Sequence, residues 1–238
     1  MKENKSKRNL ILGVLFFLPV AFLLMLYPAK HNYIPLDIIN DNVVELNAFK
    51  SVDNKKITLQ DHITVIGFLG KQPLSNSIAA SNLKELVYDK FKGFKKFQIV
   101  IVMPSGTEAE VQTLEKEISS YEDLRFWHYV YGSDSAIKQL YNSLKIETAL
   151  KEDLSTNDVF IIDKDLNQRG RIDARDEKEV EANKPITTLS AYDCIEVAII
   201  KNKMSEDMRV LFTEYRQKRK GNFDSTTRRA NDLKESDE

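Results

Sequence analysis

The chain has 238 residues, 42% hydrophobic and 30% charged, a balance that suits one globular domain with appendages and excludes a disordered chain or a multi-pass bundle. Lys and Arg number 35 and Asp and Glu 36, a formal net charge of -1, so no global field favours nucleic acid or an anionic surface as partner. A single cysteine, Cys194, excludes an internal disulfide.

The chain opens with Lys2, Lys5, Lys7 and Arg8, followed by an uncharged run rich in Leu, Phe, Val and Ile over residues 10–27. As a helix this run is about 27 Å long, a match to a bilayer core of about 30 Å, and it is predicted to be a transmembrane helix in contact with lipid. The flanking positive charge predicts a cytoplasmic N-terminus at residues 1–9 and a single-pass topology with the remaining chain on the extracytoplasmic, periplasmic side. A cleaved signal peptide is the competing interpretation. The apolar run is longer than a signal core, and Tyr27-Pro28-Ala29-Lys30-His31 has no small-x-small cleavage pattern.

Residues 28–42, with Pro35, are predicted to be a linker, and residues 43–220 the folded domain. Val43 to Phe49 and Lys56 to Leu59, on either side of Ser51-Val52-Asp53-Asn54, predict a β-hairpin. Ile63 to Leu69 is a continuous apolar run of strand length, as expected of a central strand covered on both faces. Leu74 to Phe91 carries Ile78, Leu83, Leu86 and Val87 at helical spacing. Phe97 to Met103 is a second buried strand, and Thr107 with Glu110 has the form of a capping box opening a helix to Ser119. A third strand is expected over Leu124 to Val130, then a helix over Asp134 to Leu144. Val159 to Asp163 and Gly170 to Ile172 flank a turn and predict an antiparallel hairpin. A long helix from Leu189 to Lys218 closes the domain, with Cys194 as a buried apolar filler within it, and residues 221–238 form a polar tail.

This order predicts an α/β domain with a central sheet and helices on both faces. It resembles the thioredoxin fold, and more specifically the SCO/SenC family of membrane-anchored copper chaperones for cytochrome oxidase. The residues that carry the likeness are Val65-Ile66-Gly67-Phe68, Gln98-Ile99-Val100-Ile101-Val102, Trp127-His128-Tyr129-Val130-Tyr131-Gly132 and Val159-Phe160-Ile161-Ile162-Asp163-Lys164-Asp165, in this sequence and behind a membrane anchor. The resemblance covers about residues 43–205.

That family's chemistry needs two thiolates in a Cys-x-x-x-Cys loop and a distant histidine, since soft sulfur and imidazole ligands suit copper. Here the loop reads Leu69-Gly70-Lys71-Gln72-Pro73-Leu74-Ser75-Asn76-Ser77, and the resemblance sets Lys71 and Ser75 at the cysteine positions. The histidine position falls in Leu154-Ser155-Thr156-Asn157-Asp158, at Ser155. The expectation is a degenerate site with no metal, no cofactor and no catalytic residue.

Other chemistry is sparse. His31, His62 and His128 lack metal-ligand spacing, Asp163 and Asp165 are expected to shape a turn, and Trp127 is expected in the core. Arg216, Lys218, Arg219 and Lys220 complement the dipole at the end of the closing helix. The expected function is a membrane-tethered, redox-inactive SCO-like domain acting by contact with a membrane protein or respiratory complex, in cytochrome oxidase assembly. The alternatives are an accessory or structural subunit of a membrane complex and a weak thiol or copper-handling protein, the thiol activity being that of Cys194.

Overall fold

The computed structural model describes residues 3–26, 33–119 and 123–219, and the chain divides into two units, Met1–Ile34 and Pro35–Glu238. The first unit is helix α1, Glu3–Leu26. Its Leu, Ile, Val and Phe side chains from Leu10 to Met25 are exposed all round, and Lys7–Met25 is long and apolar enough to cross a membrane. A helix apolar on every side has no favourable place in water. These features belong equally to a single span and to a signal sequence.

In the second unit the apolar runs form strands β1 (Asp37–Asn40), β2 (Ile63–Phe68), β3 (Phe97–Pro104), β4 (Trp127–Gly132), β5 (Asp158–Ile162), β6 (Gln168–Gly170) and β7 (Tyr192–Asp193). The sheet order is β1-β6-β5-β2-β3-β4, with β7 added to β5. Strands β2, β3 and β4 are parallel, while β5 runs antiparallel to β2 and β6 antiparallel to β5. The helix that follows β2 is α2 (Ser77–Leu83), continued by a π-helical turn, Lys84–Tyr88, into α3 (Asp89–Phe91). Helices α4 (Glu108–Ser119) and α5 (Asp134–Asn142) follow β3 and β4, α6 (Glu177–Glu181) follows β6, and α7 (Ser205–Arg219) closes the fold behind a π-helical turn at Ile199–Met204. Two parallel strands followed by an antiparallel hairpin, in the order β6-β5-β2-β3 with a helix leaving the end of β2, make the domain thioredoxin-like.

Every residue of β2 and β3 is buried, which explains why these strands read as unbroken apolar runs. Alternation divides them between two cores. Ile63, Val65, Ile99 and Ile101 meet Leu83, Val111, Leu114 and Leu211, whereas Ile66, Phe68, Val100 and Val102 meet Val43, Leu59, Ile137 and Leu140. The closing helix is joined to the sheet by charge as well as by apolar packing. Arg169 donates to Asp163 Oδ2 at 2.9 Å, to Glu214 Oε2 at 2.8 Å and to the Leu36 carbonyl at 2.8 Å. Beside it Asp207 takes Arg171 and the Tyr192 hydroxyl.

Four local expectations are corrected. The Val43–Leu59 hairpin does not form: Glu45 accepts the N–H groups of Leu46, Leu59 and Gln60, holding the two stretches together through one carboxylate, with a 3-10 turn at Leu46–Ala48. Residues 37–40 of the expected linker are a strand, because β6 has an edge for them to pair with. Thr107 does not open a capping box; its hydroxyl donates to the Pro104 carbonyl. Cys194 lies just after β7, outside the closing helix, since residues 189–193 are drawn into pairing with Arg171 and β5. Residues 28–32 of the linker, Lys220 and the tail at 221–238 lie outside the described residues.

Candidate functional site

The loop after β2 is where the family resemblance places chemistry, and the structure brings two of its three positions together. Leu69 pairs with Ser155, and Thr156 N–H donates to the Phe68 carbonyl at 3.1 Å, so the segment before β5 lies along the start of the loop. Gly70 sits at φ +73°, and a Cβ there would come within 2.6 Å of the Asp153 carbonyl oxygen and 2.8 Å of Ser155 Cβ. A residue without a side chain is required both by the left-handed backbone and by the close approach. Lys71 N–H then donates to the Asp153 carbonyl at 2.8 Å.

Each functional group at these positions is already engaged or faces water. Lys71 Nζ pairs with Asp134 Oδ2 at 2.8 Å, linking the loop to the first residue of α5. The Ser155 hydroxyl is buried and donates to Asp153 Oδ1 at 2.7 Å, in a turn where the same oxygen accepts Ser155 N–H. Ser75 is exposed in the 3-10 turn Pro73–Asn76, with its N–H on the Gln72 carbonyl. Asn76 Nδ2 reaches back to the Leu69 carbonyl at 2.9 Å and closes the loop. The groups gathered here are an ammonium, hydroxyls and carboxylates, which do not fit a soft copper(I) site.

Cys194 is close to this region but is chemically quiet. Its N–H and its thiol both contact the Asn157 carbonyl, and its own carbonyl accepts Asn82 Nδ2 from α2 at 2.9 Å. Burial, with the charge of Asp193 added, pushes the thiol up to about 12. A reactive cysteine needs thiolate at working pH, and this environment withholds it.

Exposed apolar side chains stand near the loop, beside its own exposed Lys71, Gln72 and Ser75. Leu74 and Ile78 are exposed at the start of the helix after β2, and Ile195 and Val197 are exposed just past Cys194. Ile78 and Asn82 stand one turn apart on α2, and the Asn82 contact to the Cys194 carbonyl holds that face beside Ile195. Sequence patterning marks Ile78 as a core position, but it is 64% exposed.

The other candidates fall into structural roles. Asp163 Oδ1 accepts the N–H groups of Asp165 and Asn167 and shapes the β5–β6 turn as expected. Trp127 is buried on β4. His128 is partly buried, which lowers its pKa, His62 Nδ1 contacts the Gln60 carbonyl, and His31 is outside the described residues. Among the described residues no cluster of His, Cys, Asp and Glu could hold a metal ion. Asp134 and Asp153, which fix the loop, escaped the sequence reading; Asp153-Leu154-Ser155 has the form of an Asx turn, the one local signal that could have found the second.

No protein family and no curated protein matches this sequence. Solved structures with a similar arrangement include one from Aquifex aeolicus VF5 at 12% identity, covering 72% of this chain and 93% of that one with a TM-score of 0.47. The thioredoxin domain of a thiol-disulfide oxidoreductase from Bacteroides vulgatus is 12% identical, with 71% and 98% covered and a TM-score of 0.41. ScoI from Bradyrhizobium japonicum, with copper bound, is 13% identical, with 72% and 99% covered and a TM-score of 0.39. At such identities the likeness concerns the arrangement of strands and helices, and no ligand or reaction passes from those proteins to this chain.

Proposed function

We propose that this chain is a membrane-tethered, SCO-like domain that has given up copper and thiol chemistry and works by protein contact at the surface around the β2–α2 loop. The observation that carries the proposal is the exposed apolar group Leu74, Ile78, Ile195 and Val197, set beside a loop where Lys71 and Ser155 are engaged with Asp134 and Asp153. Exposed apolar side chains clustered in one place mark an interaction site more often than a lone one does. In this proposal α1 is retained as a single span with the N-terminus cytoplasmic, and the domain meets a membrane protein on the extracytoplasmic side. The partner class, a respiratory complex under assembly, follows from the family resemblance.

The test uses the full chain in its native membrane with a photo-crosslinking residue at position 78 or, as a control, at the exposed position 125. A defined membrane protein captured from 78 and lost from 125 is expected; equal capture from both would overturn the contact surface. Copper(I) titration of the purified chain tests the lost site separately. Tight one-to-one binding would overturn that part, and weak or non-stoichiometric binding is expected.

A further inference from the structure

The net charge of the chain is close to zero, but its cations are unevenly spread. Lys90 on α3 and Lys95 and Lys96 in the turn before β3 are exposed, and so are Lys201 on the second π-helical turn and Arg209 and Arg216 on α7. Aromatic stacking brings these elements together. Phe94, itself 36% exposed, lies on Phe212 of α7 with ring centres 4.2 Å apart, and Phe91 of α3 stacks on the same ring at 5.7 Å. Arg209 and Arg216 stand one turn to either side of Phe212 along α7. Partial burial, and then the like charges of Arg209 and Lys201, lower the Lys90 pKa, so these three cations share one field.

Among the described residues none of these cations makes an ion pair. Of the acidic residues on the same elements, Asp89 is held by Lys84 and Lys92, Glu214 by Arg169 and Asp207 by Arg171, while Glu85 and Glu206 stay exposed. Lys96 keeps its charge at a φ of +67°, a backbone conformation that favours glycine or asparagine. Like charges gathered on one face repel one another, and an anionic surface relieves that repulsion. An exposed aromatic ring amid lysines and arginines is the composition of a face that rests on phospholipid headgroups.

The path of the chain favours lipid over a soluble acidic partner. Arg169 Nη2 donates at 2.8 Å both to Glu214 Oε2 of α7 and to the Leu36 carbonyl, so the chain enters the domain beside the C-terminal half of α7. From Leu26, the end of α1, to Leu36 is about ten residues, a reach of at most about 35 Å when fully extended. We infer that this face docks on the anionic phospholipid headgroups of the bilayer that α1 crosses, with Phe94 seated among them and the surrounding lysines and arginines on their phosphates. The inference rests on the reading of α1 as a retained span, since so short a tether keeps the face at high local concentration against lipid. Roughly 18 Å of helix separates Lys90 from Ile78, so docking here leaves the apolar side chains near the β2–α2 loop free for a protein partner.

The test places a thiol-reactive fluorophore at Gly93→Cys, where an added Cβ meets nothing within 4 Å, or, as a control, at the exposed Val52→Cys; the native Cys194 is buried. The full chain is reconstituted into phosphatidylcholine vesicles with or without about 30 mol% phosphatidylglycerol, each carrying a headgroup spin label as quencher. Quenching at position 93 is expected to be about threefold stronger with phosphatidylglycerol and to fall by about half in 0.5 M salt, with no such change at position 52. Lys90→Glu combined with Lys95→Glu is expected to remove the phosphatidylglycerol effect with the melting temperature unchanged. Alkaline carbonate extraction of the same vesicles separates the two readings. A chain that stays in the vesicles with equal quenching at position 93 in both lipids, or with quenching that the double variant leaves intact, overturns the docking alone and leaves the basic face to an acidic protein. A chain that carbonate extracts overturns the span, and the docking with it.

Discussion

Two ion-pair regions of this domain lie at opposite extremes of solvent exposure. At the β2–α2 loop, Lys71 and Asp134 have side chains 48% and 53% exposed. At the seam between β6 and α7, Arg169 and Glu214 are 1% and 0% exposed, and Asp163 is as deeply buried as Arg169. An exposed pair in water contributes little, because solvent and salt screen it and two long side chains must be held still. A buried pair is different: its formation is nearly neutral, but losing one partner strands a charge in the interior. The domain therefore tolerates change at the loop and resists it at the seam. Side chains at the loop can change without the fold noticing, provided the backbone contacts of Gly70 and Lys71 to Asp153 survive.

The comparison can be broken most directly at Glu214. Glu214→Ala leaves Arg169 without one of its two carboxylates and is expected to lower stability by about 3–5 kcal/mol in chemical denaturation. A loss below about 1 kcal/mol would mean that the seam is held by apolar packing alone. Gly70→Ala tests the loop backbone, where positive φ and the contact with Asp153 both resist a Cβ, and should cost about 2–3 kcal/mol.

Cys194 sharpens the contrast through pH. Its folded pKa, about 12, is above the ordinary 9.0, so the native state holds the proton more tightly than the unfolded chain does. The resulting stabilisation is complete below pH 9 and is lost between pH 9 and 12, as the unfolded chain deprotonates first. The alkaline fall in stability should be shallower in Cys194→Ala than in the wild type, and an aromatic disulfide reagent at pH 8 should label Cys194 only after denaturation. Rapid labelling of the native chain would revive the thiol hypothesis. The smallest effect is expected at the loop itself, where Lys71→Ala should change stability by less than about 1 kcal/mol and shift the melting temperature only slightly.

Much of this was legible in the sequence. The runs at Ile63–Phe68 and Phe97–Pro104 could be recognised as strands because both faces are covered, and the pattern then needs no phase. The helix after β2 and the β5–β6 hairpin were legible from spacing and turn residues. The candidate site was legible as a loop without thiols or imidazoles, though not as a surface: that Ile78 is exposed depends on which helix face meets the sheet, and that Cys194 faces Asn157 depends on the pairing of β7 with β5.

Composition and periodicity determined the N-terminal apolar helix, the α/β alternation and the absence of thiol and imidazole ligands at the loop, because each is a property of residues close in sequence. Tertiary structure decided the remainder. The four residues of β1 and the two of β7 have too little local pattern to specify a strand, and form one only because β6 and β5 present open edges. Arg169 and Glu214 are 45 positions apart, and Trp127 and Tyr129 face Glu115 only once α4 is laid over β4. Buried charge and shared clefts arise from such long-range meetings, and no window of sequence contains them.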